Sequence, residues 1–289
     1  MCRKEIEQVK IGVYLYGLAT VAFGIVDLVW GQFERSHQPV QSLVEHIPGR
    51  QFLAYIAAAW MIAAGLAILW RRSARTGAAA SAIIYSIFAA CWLLRFYNAI
   101  HAAGWQVNIL FGFLFSISQA VFLIVPGVIL YVSTANNDRV SEERTAAAAR
   151  WMLGLPPIFF GLAHLIGIRV FATIVPQWLP FGTAWAALTG IAFILAGIAI
   201  CLRKRDVLAA RLLALMLLVF EFLVEIPPVF VRLHNQETWG AAVYNLVAIG
   251  ALWIFAEFVV SRRQADSRKA GHAEHRAIAR PIESLASGS

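Results

Sequence analysis

Residues 52–70 read FLAYIAAAWMIAAGLAILW, a run of 19 residues without a charged side chain. At a rise of about 1.5 Å per residue, a helix of this length crosses the roughly 30 Å hydrocarbon layer of a bilayer. The strands of a membrane barrel alternate polar and apolar side chains, and this run shows no alternation. The run therefore predicts a transmembrane helix.

Seven further apolar runs have similar lengths. Together with the first they predict spans at 11–31, 52–70, 77–94, 108–132, 151–168, 183–202, 212–231 and 240–260. The chain of 289 residues is 60% hydrophobic and 14% charged, whereas soluble domains have about 45–50% apolar and about 25% charged residues. Little sequence is left for a separate soluble domain. We therefore expect an all-α polytopic membrane protein with eight transmembrane helices.

The basic residues predict how the spans are oriented. Of the 24 Lys and Arg residues, 19 lie at the two ends of the chain or in alternate connectors, and five lie in the remaining connectors. Cytoplasmic segments carry the excess of basic residues, so both ends are expected in the cytoplasm. The charges form short clusters between spans, which argues against nucleic acid as a partner. Arg outnumbers Lys 20 to 4, a bias typical of GC-rich bacteria, so we expect a bacterial inner membrane.

The two halves of the chain are similar to each other. Six positions of the second span recur 132 residues later, and the glycines of the first span recur 137 residues later; the pairs include Gly17 and Gly154, Gly24 and Gly161, and Gly65 and Gly197. Each half has four spans, an even number, so both halves enter the membrane from the same side. The pattern predicts two parallel four-helix repeats, with the repeated small residues at close helix contacts.

This comparison predicts four regions along the chain. The first repeat covers 1–132 and a cytoplasmic linker covers 133–150, where the polar sequence STANNDRVSEER interrupts the apolar runs. The second repeat covers 151–261. Residues 262–289 are charged and lack apolar periodicity, so they are expected to form a disordered cytoplasmic tail.

Three segments of the second half resemble the DoxX-like membrane proteins. They are FGLAHL at 160–165, FATIVPQWLP at 171–180 and TGIAFILAGIA at 189–199. The resemblance covers about half of the chain, and the first half is similar to a diverged copy of the same four-span unit. The family takes its name from the membrane subunit of a thiosulfate:quinone oxidoreductase, so the resemblance implies a redox-linked membrane subunit associated with quinones or thiols. The resemblance identifies no catalytic residue in this sequence.

Ionisable residues inside a span cost about 2.5–3.5 kcal/mol each on insertion scales, so each is a candidate for function. Glu221 and Glu225 lie four residues apart on one helix face, and His164 of the fifth span lies at a similar depth. Pro227 and Pro228 follow and leave backbone carbonyls without donors. These groups predict a polar pocket able to hold a proton, a cation or a quinone headgroup. The alternative is that both carboxyls are neutral and only bond neighbouring helices.

Depth also suggests an ion pair in the first half. Asp27 and Arg95 both fall near the outer rim of their spans, and an unpaired charge there is costly. We therefore expect these two side chains to form a structural salt bridge. The positions that align with Glu221 and Glu225 are Ala89 and Leu93, so any chemistry is expected in the second half.

Other kinds of site find little support in the sequence. The three cysteines are far apart, which argues against dithiol exchange and a disulfide framework. No metal-ligand spacing and no nucleotide loop occurs. Two buried histidines would be needed for a bis-histidine haem, and His164 is the only one expected to be buried. The cofactor is therefore unknown, with quinone as the candidate.

Three functions stay open at this point. The first is a redox-linked membrane subunit whose second-half pocket binds a quinone or relays protons for a soluble or membrane redox partner. The second is a carrier for a small solute, coupled to protons, because repeats with polar residues at mid-membrane also describe transporters. The third is a membrane scaffold without catalysis. Neither the substrate nor the electron donor can be derived from these residues.

Overall fold

The computed structural model describes residues 10–134 and 139–286, and no strand occurs in those residues. The helices are α1 (Lys10–Trp30), α2 (Val40–Val44), α3 (Arg50–Leu69), α4 (Ala74–Ala103), α5 (Val107–Thr134), α6 (Arg139–Ile166), α7 (Ile168–Ile174), α8 (Gly182–Cys201), α9 (Asp206–Phe220), α10 (Ile226–Val231) and α11 (Gln236–Ala286). A π-helical turn, Glu221–Glu225, joins α9 to α10.

Eight helices in this part of the chain are long and apolar enough to cross a membrane, as the sequence predicts. They are α1, α3, α4, α5, α6, α8, the continuous rod from α9 to α10, and α11. The short helices α2 and α7 lie in the connectors after the first and fifth of them. Because successive spans alternate in direction, both short helices lie at one end of the bundle, which we call the α2–α7 end.

Two predicted boundaries are wrong. Helix α11 continues to Ala286, so the tail predicted to be disordered from residue 262 is helical that far, and residues 287–289 lie outside the described part. Ala, Arg and Glu favour helix, and a helix that a packed span has already started needs no new nucleus. The predicted linker is also shorter, because α6 begins at Arg139; of its residues, 135–138 lie outside the described part.

Helix α11 lies at the centre of the bundle. It packs against α1, α5 and α9, and 78% of its most apolar window is buried. The side chains that close the core around it include Tyr16, Phe122, Val247, Leu252 and Phe255. The last span of the second half therefore contacts the first half directly, which places a seam between the halves along α1, α5 and α11.

Glycines let two pairs of helices approach closely. A Cβ on Gly24 of α1 would lie 2.6 Å from the carbonyl oxygen of Ala58 on α3, and a Cβ on Gly65 would lie 2.6 Å from that of Gly17. In the second half, Gly161 of α6 meets the carbonyl of Gly190 on α8, and Gly197 meets that of Gly154. The repeated small residues thus lie at helix contacts, as predicted. Whether the halves form two superposable parallel repeats stays a prediction.

A buried ion cluster ties the other end of the bundle together. Asp206 at the start of α9 is fully buried and accepts a hydrogen bond from Arg150 Nε on α6 at 3.2 Å. Arg263 of α11 donates to both oxygens of the same carboxylate, at 2.8 and 2.9 Å. One carboxylate thereby connects α6, α9 and α11, a role that the sequence does not reveal.

The glycine contacts predict an unequal response to adding one methyl group. Gly161→Ala should destabilise the protein by about 1–3 kcal/mol, because its Cβ would meet backbone rather than a flexible side chain. Gly112→Ala is the matched control, since its Cβ would meet nothing within 4 Å. Thermal unfolding of both variants in mild detergent measures the difference. Equal melting temperatures for the two variants would contradict the close contact.

Candidate functional site

A cavity of about 650 Å³ opens at the α2–α7 end, and residues of both halves line it. The second half contributes α6, α7, α8, α9, the π-helical turn and α11. The first half contributes α5 and His37, a residue of the connector between α1 and α2. Most of the wall is apolar; its aromatic members include Phe115, Phe122, Phe160, Phe171, Phe193 and Phe220.

The cavity is apolar at its mouth and polar at its inner wall. Trp178, Leu188 and Val219 line it and are 69%, 56% and 46% exposed on the bundle surface. Leu188 and Val219 belong to spans, so this part of the mouth faces the lipid. His37 and Asn245 line it too and are buried. A molecule that enters from the bilayer would therefore meet its hydrogen-bonding partners at the buried end.

A smaller cleft of about 330 Å³ lies between α8 and α9 at the opposite end. Its wall is alkyl side chains, with Lys204 and Arg205 at the edge. It offers no buried polar group to a ligand. The larger cavity is therefore the better candidate for a specific site.

His164 lies in the wall of the large cavity, where its ring is held from two sides. Its Nδ1 lies 2.8 Å from the carbonyl oxygen of Phe160 and donates to it. The ring stacks on Phe171 with a centroid distance of 3.9 Å. Because Nδ1 carries the proton, Nε2 is left as an acceptor.

The two glutamates of the predicted pocket have different surroundings. Glu225 lines the cavity. Glu221 is 3% exposed and its Oε2 accepts a hydrogen bond from Asn245 Nδ2 at 2.9 Å. Asn245 is itself a wall residue and also donates to the carbonyl of Leu217. Glu225 and His164 thus share the cavity, whereas Glu221 reaches it through Asn245.

A π-helical turn carries both glutamates. Pro227 and Pro228 begin α10 and have no N–H to donate to the preceding turn. The backbone widens ahead of them, and the N–H of Ile226 reaches the carbonyl of Glu221, five residues back. Such turns are rare and occur often at functional sites. The prolines therefore explain the local backbone, as their position in the sequence suggests.

Sequence reasoning missed the first half's contribution. Glu34 is fully buried and His37 is 5% exposed, and Glu34 Oε2 lies 2.8 Å from His37 Nδ1. The imidazole stacks on Tyr244 of α11 at 4.3 Å. The expectation that His164 is the only buried histidine is therefore wrong. The Glu-x-x-His spacing at 34–37 was the available signal, but a connector between spans was not expected to fold into the bundle.

The electrostatics of Glu34 follow from this geometry. Burial raises the pKa of the carboxyl, but the facing His37 charge and the hydrogen bonds from His37 and Ser36 lower it more, and the net pKa lies below its ordinary value of 4.5. Glu34 therefore stays ionised and fixes the His37 ring. His37 Nε2 is then the atom that can exchange a proton with a molecule in the cavity.

The predicted salt bridge between Asp27 and Arg95 is wrong. Asp27 is fully buried, and its Oδ1 accepts the backbone N–H of Glu34 at 3.1 Å. Arg95 points outward over the ring of Trp92, 5.0 Å from its centroid. Depth along a span gives height in the membrane but not direction around the helix; Asp27 faces the interior of the bundle, whereas Arg95 faces its surface.

The described residues contain no group of three or more His, Cys, Asp or Glu side chains that could hold a metal ion. The two imidazoles and two carboxyls in and beside the cavity are groups that can form hydrogen bonds and exchange protons. These groups suit a small polar headgroup attached to an apolar body.

Comparison with known proteins adds a partial match. A family model described as a domain of unknown function (DUF8561) matches residues 153–243, about a third of the chain. That part contains His164, Glu221 and Glu225, whereas Glu34 and His37 lie outside it. Neither a curated protein nor a solved structure matches the chain.

The lowered pKa of Glu34 predicts a pH dependence of stability. The fold favours the ionised form, so the stabilisation is complete above the ordinary value of 4.5 and is lost as the pH falls through the lowered pKa. Glu34→Gln should therefore cost about 1.5–3 kcal/mol at neutral pH. The difference from the unchanged protein should shrink in acid.

Thermal unfolding across a pH series measures this dependence. Glu237→Gln is the matched control, because Glu237 is an exposed residue at the same end of the bundle. The Glu34 account fails if the two variants have the same stability at neutral pH.

Proposed function

We propose that this integral membrane helical protein binds a membrane-soluble quinone in the large cavity and exchanges protons with its headgroup. One observation carries the proposal: an apolar cavity whose mouth faces lipid ends in the buried His37 imidazole and Asn245 amide and the half-buried Glu225 carboxyl. Its volume of about 650 Å³ lies in the range of small-molecule sites, roughly 300–1,000 Å³. A quinone has a matching shape, with a polar ring and an apolar tail.

The residues at the inner wall differ in the hydrogen bonds and proton transfers that they can support. Asn245 donates its amide hydrogens to Glu221 and to the carbonyl of Leu217. Its side-chain oxygen is therefore free to accept a hydrogen bond. Glu225 and His37 Nε2 are the groups that can take protons from a quinol. Oxidation of a quinol to a quinone releases two protons and two electrons. The protons pass to these side chains, and the electrons pass to a partner protein that carries a redox cofactor.

We further propose a family, an architecture and a location for the chain. It is a tandem DoxX-like protein, made of two parallel four-helix repeats in a bacterial inner membrane with both ends in the cytoplasm. The matched contacts of Gly17 with Gly65 and of Gly154 with Gly197 support the repeats. The excess of basic residues in alternate connectors supports the orientation. A reporter fused after Ser289 that signals from the periplasm would contradict it.

A carrier is the second candidate, and the position of the cavity between the halves favours it. Alternating access works by moving one half against the other around a shared site. Uptake of a labelled amphipathic solute into proteoliposomes would support a carrier. Binding without uptake supports the redox role.

The quinone proposal predicts quenching of tryptophan fluorescence. Trp178 and Trp185 line the cavity, so decyl-ubiquinone should quench them saturably in the detergent-solubilised protein. Glu225→Gln keeps the shape but removes the ionisable group. It should weaken binding of the reduced form, decyl-ubiquinol, about tenfold or more when the quinol competes with decyl-ubiquinone, because the quinol hydroxyls donate to a carboxylate and a hydrogen bond to a charged group contributes about 1.5–3 kcal/mol.

Glu257→Gln is the control for this experiment. Glu257 also lies on a span, but its partner is Arg211 and it does not line the cavity. Its variant should bind decyl-ubiquinone as the unchanged protein does. Quenching that never saturates would show partitioning into detergent and would contradict the site, as would equal displacement of the quinone by decyl-ubiquinol in both variants.

A further inference from the structure

The first half contains a second cluster of buried polar groups, apart from the cavity wall. Within residues 11–134 and 141–270, the buried side-chain polar atoms without a hydrogen-bond partner are Asp27 Oδ2, both amide atoms of Gln38, Tyr85 Oη and Tyr244 Oη. Asp27, Gln38 and Tyr85 are 0%, 1% and 1% exposed. Unsatisfied buried polar atoms are rare in folded proteins, so a group of them requires partners that the protein chain itself does not supply.

Gln38 and Tyr85 both lie close to Asp27. The Gln38 amide approaches the Asp27 carboxyl without completing a hydrogen bond. Tyr85 of α4 lies near Asp27 and beside Thr20 of α1. The Thr20 hydroxyl donates to the carbonyl of Tyr16. The side-chain oxygens of Gln38 and Tyr85 are therefore available near the free oxygen of Asp27.

No basic side chain compensates Asp27. Among the described residues it forms no ion pair, and the His37 ring is engaged by Glu34. The titratable groups that interact with Asp27 are the Glu34 carboxyl and the Tyr85 hydroxyl, which has Tyr16 beside it. Glu225 and Tyr244 face His37 instead, and the Tyr55 hydroxyl of α3 lies near Gly31. An isolated carboxylate in such a position is strongly unfavourable. Some positive charge must neutralise it.

We propose that Asp27, Gln38 and Tyr85 form a binding site for one monovalent cation, H⁺ or Na⁺, within the first half. The site offers oxygen ligands, which hard cations prefer, and a proton satisfies the same carboxylate. It goes beyond the proposed function, because it is separate from the quinone cavity and exists whatever the cavity binds.

The site is connected to the cavity by a short path. The backbone N–H of Glu34 holds Asp27 Oδ1, and the Glu34 carboxylate holds His37 in the cavity wall. A change of charge at Asp27 acts on Glu34 at close range, and Glu34 positions the imidazole. Cation binding in the first half therefore acts on the carboxylate that positions the His37 ring in the cavity wall.

The test is the thermal stability of the full chain in mild detergent without added quinone. In the Na⁺ arm, NaCl replaces choline chloride at constant ionic strength and pH. In the H⁺ arm, the pH is varied from mildly acidic to alkaline values in choline chloride. A Na⁺ site predicts a saturable rise in Tm of about 3–6 °C at Na⁺ concentrations near ten times the dissociation constant. A proton site predicts a Tm that falls as the pH rises, because the buried carboxyl ionises.

Asp27→Asn should remove whichever response the unchanged protein shows, since the amide is neutral and similar in shape. Glu45→Gln should keep it, because Glu45 is exposed at the same end of the bundle. If Asp27→Asn does not fold, Gln38→Leu provides the second variant and should weaken the response at least severalfold. The proposal is overturned if Tm is the same in both salts and the pH response of the unchanged protein is also seen in full in Asp27→Asn, or if Asp27→Asn or, in its place, Gln38→Leu responds to Na⁺ as the unchanged protein does.

This result is independent of the quinone result. A cation response without saturable quenching by decyl-ubiquinone would retain the Asp27 site and remove the proposed function. Saturable quenching without a cation response would do the reverse.

Discussion

The carboxylate of Glu34 organises the α2–α7 end of the protein. It accepts hydrogen bonds from the backbone N–H groups of Ser36 and His37 and from the His37 ring, and together these fold the connector after α1 into the bundle. It packs against Gly240 of α11, where a Cβ would collide with the Glu34 side chain. Gln32 and Gln236 add hydrogen bonds between the same two elements. Without this packing, His37 would not reach the cavity and Asp27 would not be covered.

The consequence is a site shared between the halves. The second half supplies most of the apolar wall together with His164 and Glu225, and the first half supplies His37 and its orienting carboxylate. The sequence assigned all chemistry to the second half, because the first half lacks the two glutamates. That inference came from aligning the spans of the first half with the spans of the second half. The first half contributes through the connector after α1 instead, which a comparison of spans leaves out.

The sequence predicts the parts of this structure that depend on hydropathy and helix spacing. Spans follow from long apolar runs, and the contacts of Gly65 and Gly197 follow from small residues at recurring positions. Side-chain direction is harder, because counting residues gives the height of Asp27 and Arg95 but not the side of the bundle that each one faces. The ion cluster around Asp206 was missed for a related reason. Its arginines lie 56 and 57 residues away along the chain, and no local pattern joins them.

The glutamate pair shows both the reach and the limit of local rules. A spacing of four residues correctly groups Glu221 and Glu225 on one turn, and the following prolines correctly signal a disturbed backbone. The separation of their roles depends on Asn245, which takes Glu221 as its partner and stands between it and the cavity. Asn245 lies on the next span, and its part in the site is fixed by how α9 and α11 pack. Tertiary packing of this kind cannot be derived from the residue spacing within either helix.

The central claim is that the cavity holds a membrane-soluble quinone, and mass spectrometry of the molecules that co-purify with the protein tests it most directly. The comparison variant is Ala241→Phe, which adds a ring to the cavity wall. The account predicts an isoprenoid quinone at about one per chain in the unchanged protein and a clear depletion in the variant. Phospholipid alone, or equal quinone in both samples, would contradict it.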